Sequence, residues 1–219
     1  MGRKPANQQG NTLQDVRQAA FRLFGRHGFD GVSMNSVASE SRVTKAALYW
    51  HYAGKEAIYT DCMRELGNLF DEHIFAPMCR IESPMPRLLA LFSGVGELVA
   101  DQRVRDGVAG YWLQPSTADV SEARQVQAEF EAASARYLTQ CLQDAIDAGE
   151  MQFEIPVGEM ANAVIATLEA IVLPLGRSTP DSSQRLIAML AHTFFRAHAR
   201  RQEMAEKAVS LATERSRAA

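Results

Sequence analysis

Apolar residues recur at helical spacing along most of the chain, and no stretch sustains the alternation of β-branched and aromatic residues that marks a half-buried strand. Over residues 12–27 the apolar set Val16, Ala19, Ala20, Leu23 and Phe24 falls at i, i+3, i+4, i+7 and i+8, with Thr12 placed to cap the helix and Gly28 to stop it. Two much shorter helices follow: Ser33 suits the N-cap of one ending near Ser41, and Thr44 the N-cap of one running to about His51. Gly54 then precedes a long fourth helix over 55–78, closing near Pro77. Beyond Pro84 and Pro86 the spacing predicts longer helices over 87–101, 102–113, 120–148, 157–175 and 180–207. The expected fold is all-α: a three-helix head over residues 1–54 and a helical bundle over 55–219.

The last two helices carry broad apolar stripes. Ala161, Val164, Ile165, Leu168, Ile171, Val172 and Leu175 line one, and Leu186, Met189, Leu190, Thr193, Phe194 and Ala197 the other. An antiparallel pair with such faces is either the innermost layer of the bundle or an interface between two copies, and the pattern favours neither. After Gln202 charge alternates with Ala and Ser, as in a fraying tail.

The stretch RVTKAALYWHYAGKEAIY, from Arg42 to Tyr59, departs from simple amphipathicity. Four consecutive ring-bearing residues, Tyr49, Trp50, His51 and Tyr52, point in every direction around a helix axis, so some of them face something other than the core. Two short helices joined by a turn of about three residues, after a longer amphipathic helix, form a helix-turn-helix, whose second short helix enters the major groove of DNA. In that reading Ala46 and Ala47 let the helix approach base edges, and Lys45 reaches guanine O6 or N7 or a phosphate. Leu48 is the buried anchor, Tyr49 and His51 lie along the groove wall, Trp50 leans on a sugar or on the scaffold, and Tyr52 turns back into the core. Lys55 adds its charge to the free N–H groups and positive dipole at the start of the fourth helix, an arrangement suited to phosphate.

Charge sharpens this picture. The 219 residues carry a net charge of −3, but its distribution is uneven. Residues 1–60 hold eight basic side chains against four acidic ones, and the remaining 159 hold fifteen against twenty-two. A cationic head on an anionic body directs the head, and not the body, to a polyanion.

The segment AAFRLFGRHGFDGVSMNSVASESRVTKAALYWHYAGKEAIY resembles the DNA-binding domain of the TetR family of bacterial transcriptional regulators, from Leu13 to about Asp61. Apolar anchors, turn and aromatic cluster fall in register with that family's pattern. The resemblance implies a homodimeric repressor, released from a palindromic operator in double-stranded DNA by a small-molecule effector bound in the C-terminal helices. Carried over position by position, it implies DNA contacts at Asn35, Lys45, Ala47, Tyr49, Trp50, His51 and Lys55, to which Thr44 at the helix start and Arg42 in the turn are added. It also tips the last two helices toward an interface, with Leu168, Ile171, Val172, Leu175, Leu186, Leu190 and Phe194 as its residues. One departure stands out: the family usually has Gly where this chain has Arg42. Either the turn differs, or Arg42 is held at positive φ, at a cost on the order of 1 kcal/mol, with its side chain toward phosphate.

For an effector to release DNA it must bind the splayed form better. A wedge against the fourth helix near Leu66, Phe70 or His73 would change the separation of two heads, and Phe92, Tyr111 and Trp112 would supply an apolar lining. Other chemistry finds less support. No Ser/His/Asp or Cys/His arrangement recommends an enzyme, His73 has no metal partner at i+4, and no cofactor is expected. The glycines of GVGE at Gly94–Glu97 fit a close helix crossing better than a phosphate loop. MGRKPANQQGN has no apolar run behind its basic residues, so it is not a secretory signal. The most apolar segment, residues 160–176, is interrupted by Asn162 and Glu169 and falls short of the ~20 residues a bilayer requires, so no membrane association is expected. Cys62, Cys79 and Cys141 form no CxxC pair, which fits a reducing cytoplasm.

Overall fold

A computed structural model describes residues 6–113, 115–116, 120–172 and 180–200. Its contacts define two compact units, one built from the chain up to Gly67 together with Arg105–Ala128, the other from Asn68–Val104 and the chain from Glu129 onward. The boundary expected at residue 54 therefore falls inside the first unit.

In the first unit α1 (Ala6–His27), α2 (Met34–Glu40), α3 (Lys45–His51) and the start of α4 (Lys55–Phe70) enclose an aromatic core. α1 begins six residues before the expected Thr12, because extending a formed helix adds a hydrogen bond per residue ordered. Phe24, with no exposed surface, packs against Phe29 and Tyr59 at ring-centroid distances of 6.2 and 5.1 Å. Gly28 stops α1 in the left-handed region, at φ 67°. Ser33 and Ser36 form a capping box at the start of α2, each side chain accepting from the other's backbone N–H.

The segment that follows Arg105 returns to α1. It was expected to be helical throughout 102–113, but only α7 (Gln102–Arg105) and a 3-10 turn over Ala109–Trp112 form. Gly107 takes φ 111°, which no continuing helix permits. The turn then seats Tyr111 in the core, its ring 5.2 Å from Phe21 and 6.0 Å from Tyr59, and its hydroxyl donates to the Phe21 carbonyl at 2.9 Å.

In the second unit, the helix expected to run unbroken over 55–78 changes pitch. A π-helical turn covers Asp71–Phe75 and a last α-helical turn, α5, covers Ala76–Cys79. Pro77 explains the break. It has no N–H for the carbonyl four residues earlier, that of His73, and immediately upstream the Ala76 N–H bonds to Asp71 instead, one residue further back than in an α-helix. Gly94 of α6 (Pro84–Ala100) lies against that same stretch, where a Cβ would meet the His73 carbonyl and Ile74. The close crossing expected of the glycines in GVGE is thus made by Gly94, while Gly96 meets nothing within 4 Å.

α8 (Ser121–Asp147), α9 (Val157–Val172) and α10 (Pro180–His198) complete the helices among the described residues. In the second unit Phe195 of α10 is fully buried, and it and Phe194 each sit 5.7 Å from the Phe92 ring of α6. Among the described residues β pairing is confined to a single bridge, Met151 with Ala199. No helix among them is long and apolar enough to cross a membrane. The expected helical extension over 201–207 and the fraying tail lie outside the described residues.

Candidate nucleic-acid interface

α3 is seven residues long, and Leu48 is its one buried residue. At its start the Thr44 hydroxyl accepts from the Ala47 N–H at 3.1 Å, closing one of the open donors of the first turn. Lys45, Tyr49, Trp50 and His51 all reach solvent, Tyr49 being 48 % and Trp50 84 % exposed. Trp50 therefore does not lean on the scaffold. A tryptophan this bare contributes little to holding the head together, so its surface is available to a partner. The Lys45 ammonium lies 5.9 Å from the Tyr49 ring, one helical turn on, and Ala47 is half-buried.

The turn before α3 is strained. Arg42 has φ 57°, the left-handed conformation that a side chain resists, and its guanidinium is exposed. Strain is retained where the surrounding structure over-determines the conformation. Here the Arg42 N–H bonds to Ser39 at 3.2 Å, the Val43 N–H to Ala38 at 3.0 Å, and the buried Ser41 hydroxyl to Val37 at 2.6 Å. Between this turn and α1 lies a cleft of about 700 Å³ whose lining includes Thr12, Asp15, Arg22, Glu40, Arg42 and Thr44. Arg22 and Glu40 pair across it at 3.2 Å. Asn35 is exposed on the first turn of α2.

Lys55 begins α4, and its ammonium sits 4.0 Å over the Phe29 ring. Asp30 is close enough for Lys55 to help hold that carboxyl below its ordinary value, after the larger effect of the Ser116 N–H, which donates to it at 2.8 Å. The charge of Lys55 is thus already shared with a ring and a carboxylate.

One network in the head has no counterpart in the sequence reading. Tyr52, the C-cap of α3, is 8 % exposed, and its hydroxyl donates to Asp61 Oδ2 of α4 at 2.7 Å. Arg17 of α1 points its Nε at the same Asp61 oxygen, 3.0 Å away, and at the Tyr52 hydroxyl, 3.3 Å away. Burial, with the Asp61 carboxylate adding to it, pushes the Tyr52 phenol up to about 12, so it remains a proton donor at any working pH. The partners lie 35 and 9 residues from Tyr52, at no spacing a helix pattern would flag.

The six residues expected around an effector are divided between the units. Leu66, Tyr111 and Trp112 belong to the first, and Phe70, His73 and Phe92 to the second. Tyr111 is committed to the head's core, as described above. His73 is committed as well: its Nε2 lies 3.0 Å from Asp101 Oδ2, and Arg103 also binds that oxygen, at 2.7 Å. The hydrogen bond from the Arg103 guanidinium is the largest influence holding the Asp101 carboxyl well below the usual carboxylate range. Phe70 instead joins a half-buried wall with Phe75, Phe130 and Tyr137, at ring separations of 5.4 to 6.1 Å.

Of the seven residues expected at an interface between copies, Leu168, Ile171 and Val172 turn inward, with exposures of 7, 5 and 2 %. Leu190 and Phe194 are half-buried, Leu186 is 40 % exposed, and Leu175 lies outside the described residues. Met189, one turn from Leu186, is more open still, at 58 %. Among the described residues no group of three or more His, Cys, Asp or Glu side chains could hold a metal ion.

Comparison with known proteins adds to this geometry. The sequence profile described as "Bacterial regulatory proteins, tetR family" matches residues 16–62. The HTH-type transcriptional regulator AcrR of Shigella flexneri is 31 % identical over 61 residues, which is 28 % of each chain. That match spans less than a third of the relative's own length. Among solved structures, NalD of Pseudomonas aeruginosa, a secondary repressor of the MexAB-OprM multidrug efflux pump, has a TM-score of 0.67 at 18 % identity, covering 88 % of this chain and 98 % of its own. AibR, crystallised with isovaleryl coenzyme A and operator DNA, has a TM-score of 0.64 at 22 % identity, covering 82 % and 97 %. The two structural likenesses concern the fold.

Proposed function

We propose that the chain, whose residues 16–62 match the TetR family of bacterial regulatory proteins, is a DNA-binding transcriptional repressor, released from a palindromic operator by a small, largely apolar effector. The observation that carries this reading is α3: a short helix anchored by Leu48 alone, presenting Lys45, Tyr49, Trp50 and His51 to solvent on the cationic part of the chain. Lys45, Ala47 and Asn35 are the readers of base edges. Arg42, Thr44, Tyr49, Trp50, His51 and Lys55 engage the backbone. DNA reading is assigned to residues 1–54, and effector binding and dimerisation to residues 55–219.

Two heads reading a two-fold site about one helical turn apart, ~34 Å or a multiple, require a homodimer. The exposed Leu186 and Met189 on α10 support an interface there, and they recommend that outward stripe over the buried one of α9. The half-buried rings of Phe70, Phe75, Phe130 and Tyr137 support an apolar effector, since such a wall holds apolar area still open to a ligand. The bacterial cytoplasm is the matching compartment: the operator is there, and Cys62, Cys79 and Cys141 are all free thiols.

Footprinting of the purified protein on the DNA flanking its gene tests the reading. Protection of a site with two symmetric halves, at a salt concentration that removes non-specific binding, is the expected result. Uniform binding without a protected site would overturn it.

Arg42 allows a separate check, because its two roles predict opposite signs. Arg42→Gly should stabilise the fold by about 0.5–1 kcal/mol, the relief of left-handed strain less the greater unfolded-state entropy of glycine. The same change should weaken DNA binding and reduce its log–log salt slope by about 0.9, one phosphate contact. Chemical denaturation and a salt titration read the two effects independently.

A further inference from the structure

We propose that Arg17, Tyr52 and Asp61 form a positioning triad that fixes the rotation of α3 about its own axis, and so sets sequence discrimination without touching DNA. The proposal rests on the reading of α3 as the recognition helix.

A seven-residue helix with one buried side chain has little to stop it rolling. Leu48 is an apolar anchor, and apolar contacts are non-directional, so they resist lifting better than turning. The Thr44 cap joins α3 to itself, through Ala47, and to no other helix. Tyr52 differs. Its backbone N–H bonds to the Leu48 carbonyl at 3.0 Å, which ties it to the helix, and its hydroxyl reaches away to Asp61 of α4. Arg17 of α1 closes the triangle from the third side. The bond is charge-assisted and off the helix axis, so it is directional where the anchor is not.

The magnitudes favour an effect on specificity. Side-chain tips lie about 5–6 Å from a helix axis, so a roll of about 10° moves them by roughly 1 Å. A shift of that size turns a base-edge hydrogen bond into no bond. A flexible lysine or arginine near a phosphate adjusts to the same shift with little loss, because its contact is a long-range attraction with many geometries. Loosening the roll of α3 should therefore cost base reading and spare backbone attraction.

Tyr52→Phe, which removes one oxygen from a buried ring, is the test in the full-length protein. Affinity is measured on an operator duplex and on a scrambled duplex of equal length, each over a range of salt. Fluorescence anisotropy of Trp50 is measured without DNA in a Trp112→Phe background, where Trp50 is the remaining tryptophan. We expect operator affinity to fall about tenfold, the scale of one lost charge-assisted hydrogen bond. Scrambled-duplex affinity and both salt slopes should be unchanged, and Trp50 anisotropy should drop. An equal loss on both duplexes, or an unchanged ratio between them, would overturn the triad's role in discrimination.

If the unsubstituted protein fails to distinguish the duplexes, it is the DNA-binding reading that falls. The anisotropy arm then decides the positioning of α3 alone, with an unchanged value counting against it. Should Tyr52→Phe fail to fold, Arg17→Gln takes its place. The Arg17 side chain is 58 % exposed, and this change leaves the 2.7 Å bond between Tyr52 and Asp61 standing. A drop in operator affinity and Trp50 anisotropy in the same direction but smaller is expected of it, because one side of the triangle remains, and no drop in either would overturn the proposal.

Discussion

Gly110→Ala should destabilise the first unit by about 1–3 kcal/mol, the usual cost of forcing extra volume into a packed core. A Cβ at this position would meet two backbone atoms of α1 and one of the glycine that stops it: the Phe24 carbonyl oxygen, the Gly25 carbonyl oxygen at 2.8 Å and the Gly28 nitrogen at 2.6 Å. Backbone cannot rotate out of the way as a side-chain tip can, so the 3-10 turn itself must retreat. It would take with it the Tyr111 ring, stacked on Tyr59 and tilted against Phe21, and the 2.9 Å bond from its hydroxyl to the Phe21 carbonyl. Gly96→Ala is the control. Gly96 lies inside α6 with no neighbour within 4 Å of its Cβ, so alanine there should stabilise by about 0.5–1 kcal/mol through helix propensity. Urea unfolding of the two variants compares them directly, and similar midpoints would contradict the packing argument.

Lys45→Ala should relax sequence preference at one position in each half-site and weaken operator binding by about 1–3 kcal/mol, the worth of one good base contact. Lys45 is exposed on the first turn of α3, so its loss leaves the core of the head intact. Its ammonium, 5.9 Å from the Tyr49 ring, remains free to leave that weak contact for a guanine edge. Selecting binding sites from a random library with the variant protein reads the preference directly. Unchanged preference with a salt slope lower by about 0.9 would reassign Lys45 to a phosphate.

Much of the head was legible in the sequence because its signals are local. Ser33 and Thr44 mark the starts of α2 and α3, Gly28 the end of α1, and Leu48 the buried side of α3. Each of these is a statement about a residue and neighbours within about four positions, the range over which helix capping and periodicity act. Arg42 belongs with them: its replacement of glycine raised two possibilities, and the φ of 57° selects the strained one.

Where the structure departs from expectation or adds to it, the physical causes act over a different range. Pro77 reads in sequence as a terminator of the fourth helix, whereas its missing N–H is accommodated by the π turn over Asp71–Phe75, against which Gly94 packs. Tyr111 is spent on the core of the first unit, a fate its ring does not announce because aromatic residues look alike in sequence wherever they end up. Gly107 and Gly110 decide its place by turning the chain onto α1. The stripes of α9 and α10 are similar as patterns, yet Leu168, Ile171 and Val172 are buried while Leu186 and Met189 are exposed. Periodicity reports that a helix has an apolar face, and only packing reports which neighbour covers it.

By itself, then, the sequence determined an all-helical chain, the positions of the short helix α3 and its caps, the concentration of positive charge near that helix, and a head whose pattern resembles the TetR family. These follow from spacing and composition, which a linear string contains in full. Tertiary structure alone decided that Arg17, Tyr52 and Asp61 meet, that the chain after Arg105 returns to α1, that His73 is spent on Asp101, and which side of α10 stays open. Such contacts join residues far apart in the chain, 90 positions for Tyr111 and Phe21. They depend on how already formed elements pack, and no local preference encodes that choice.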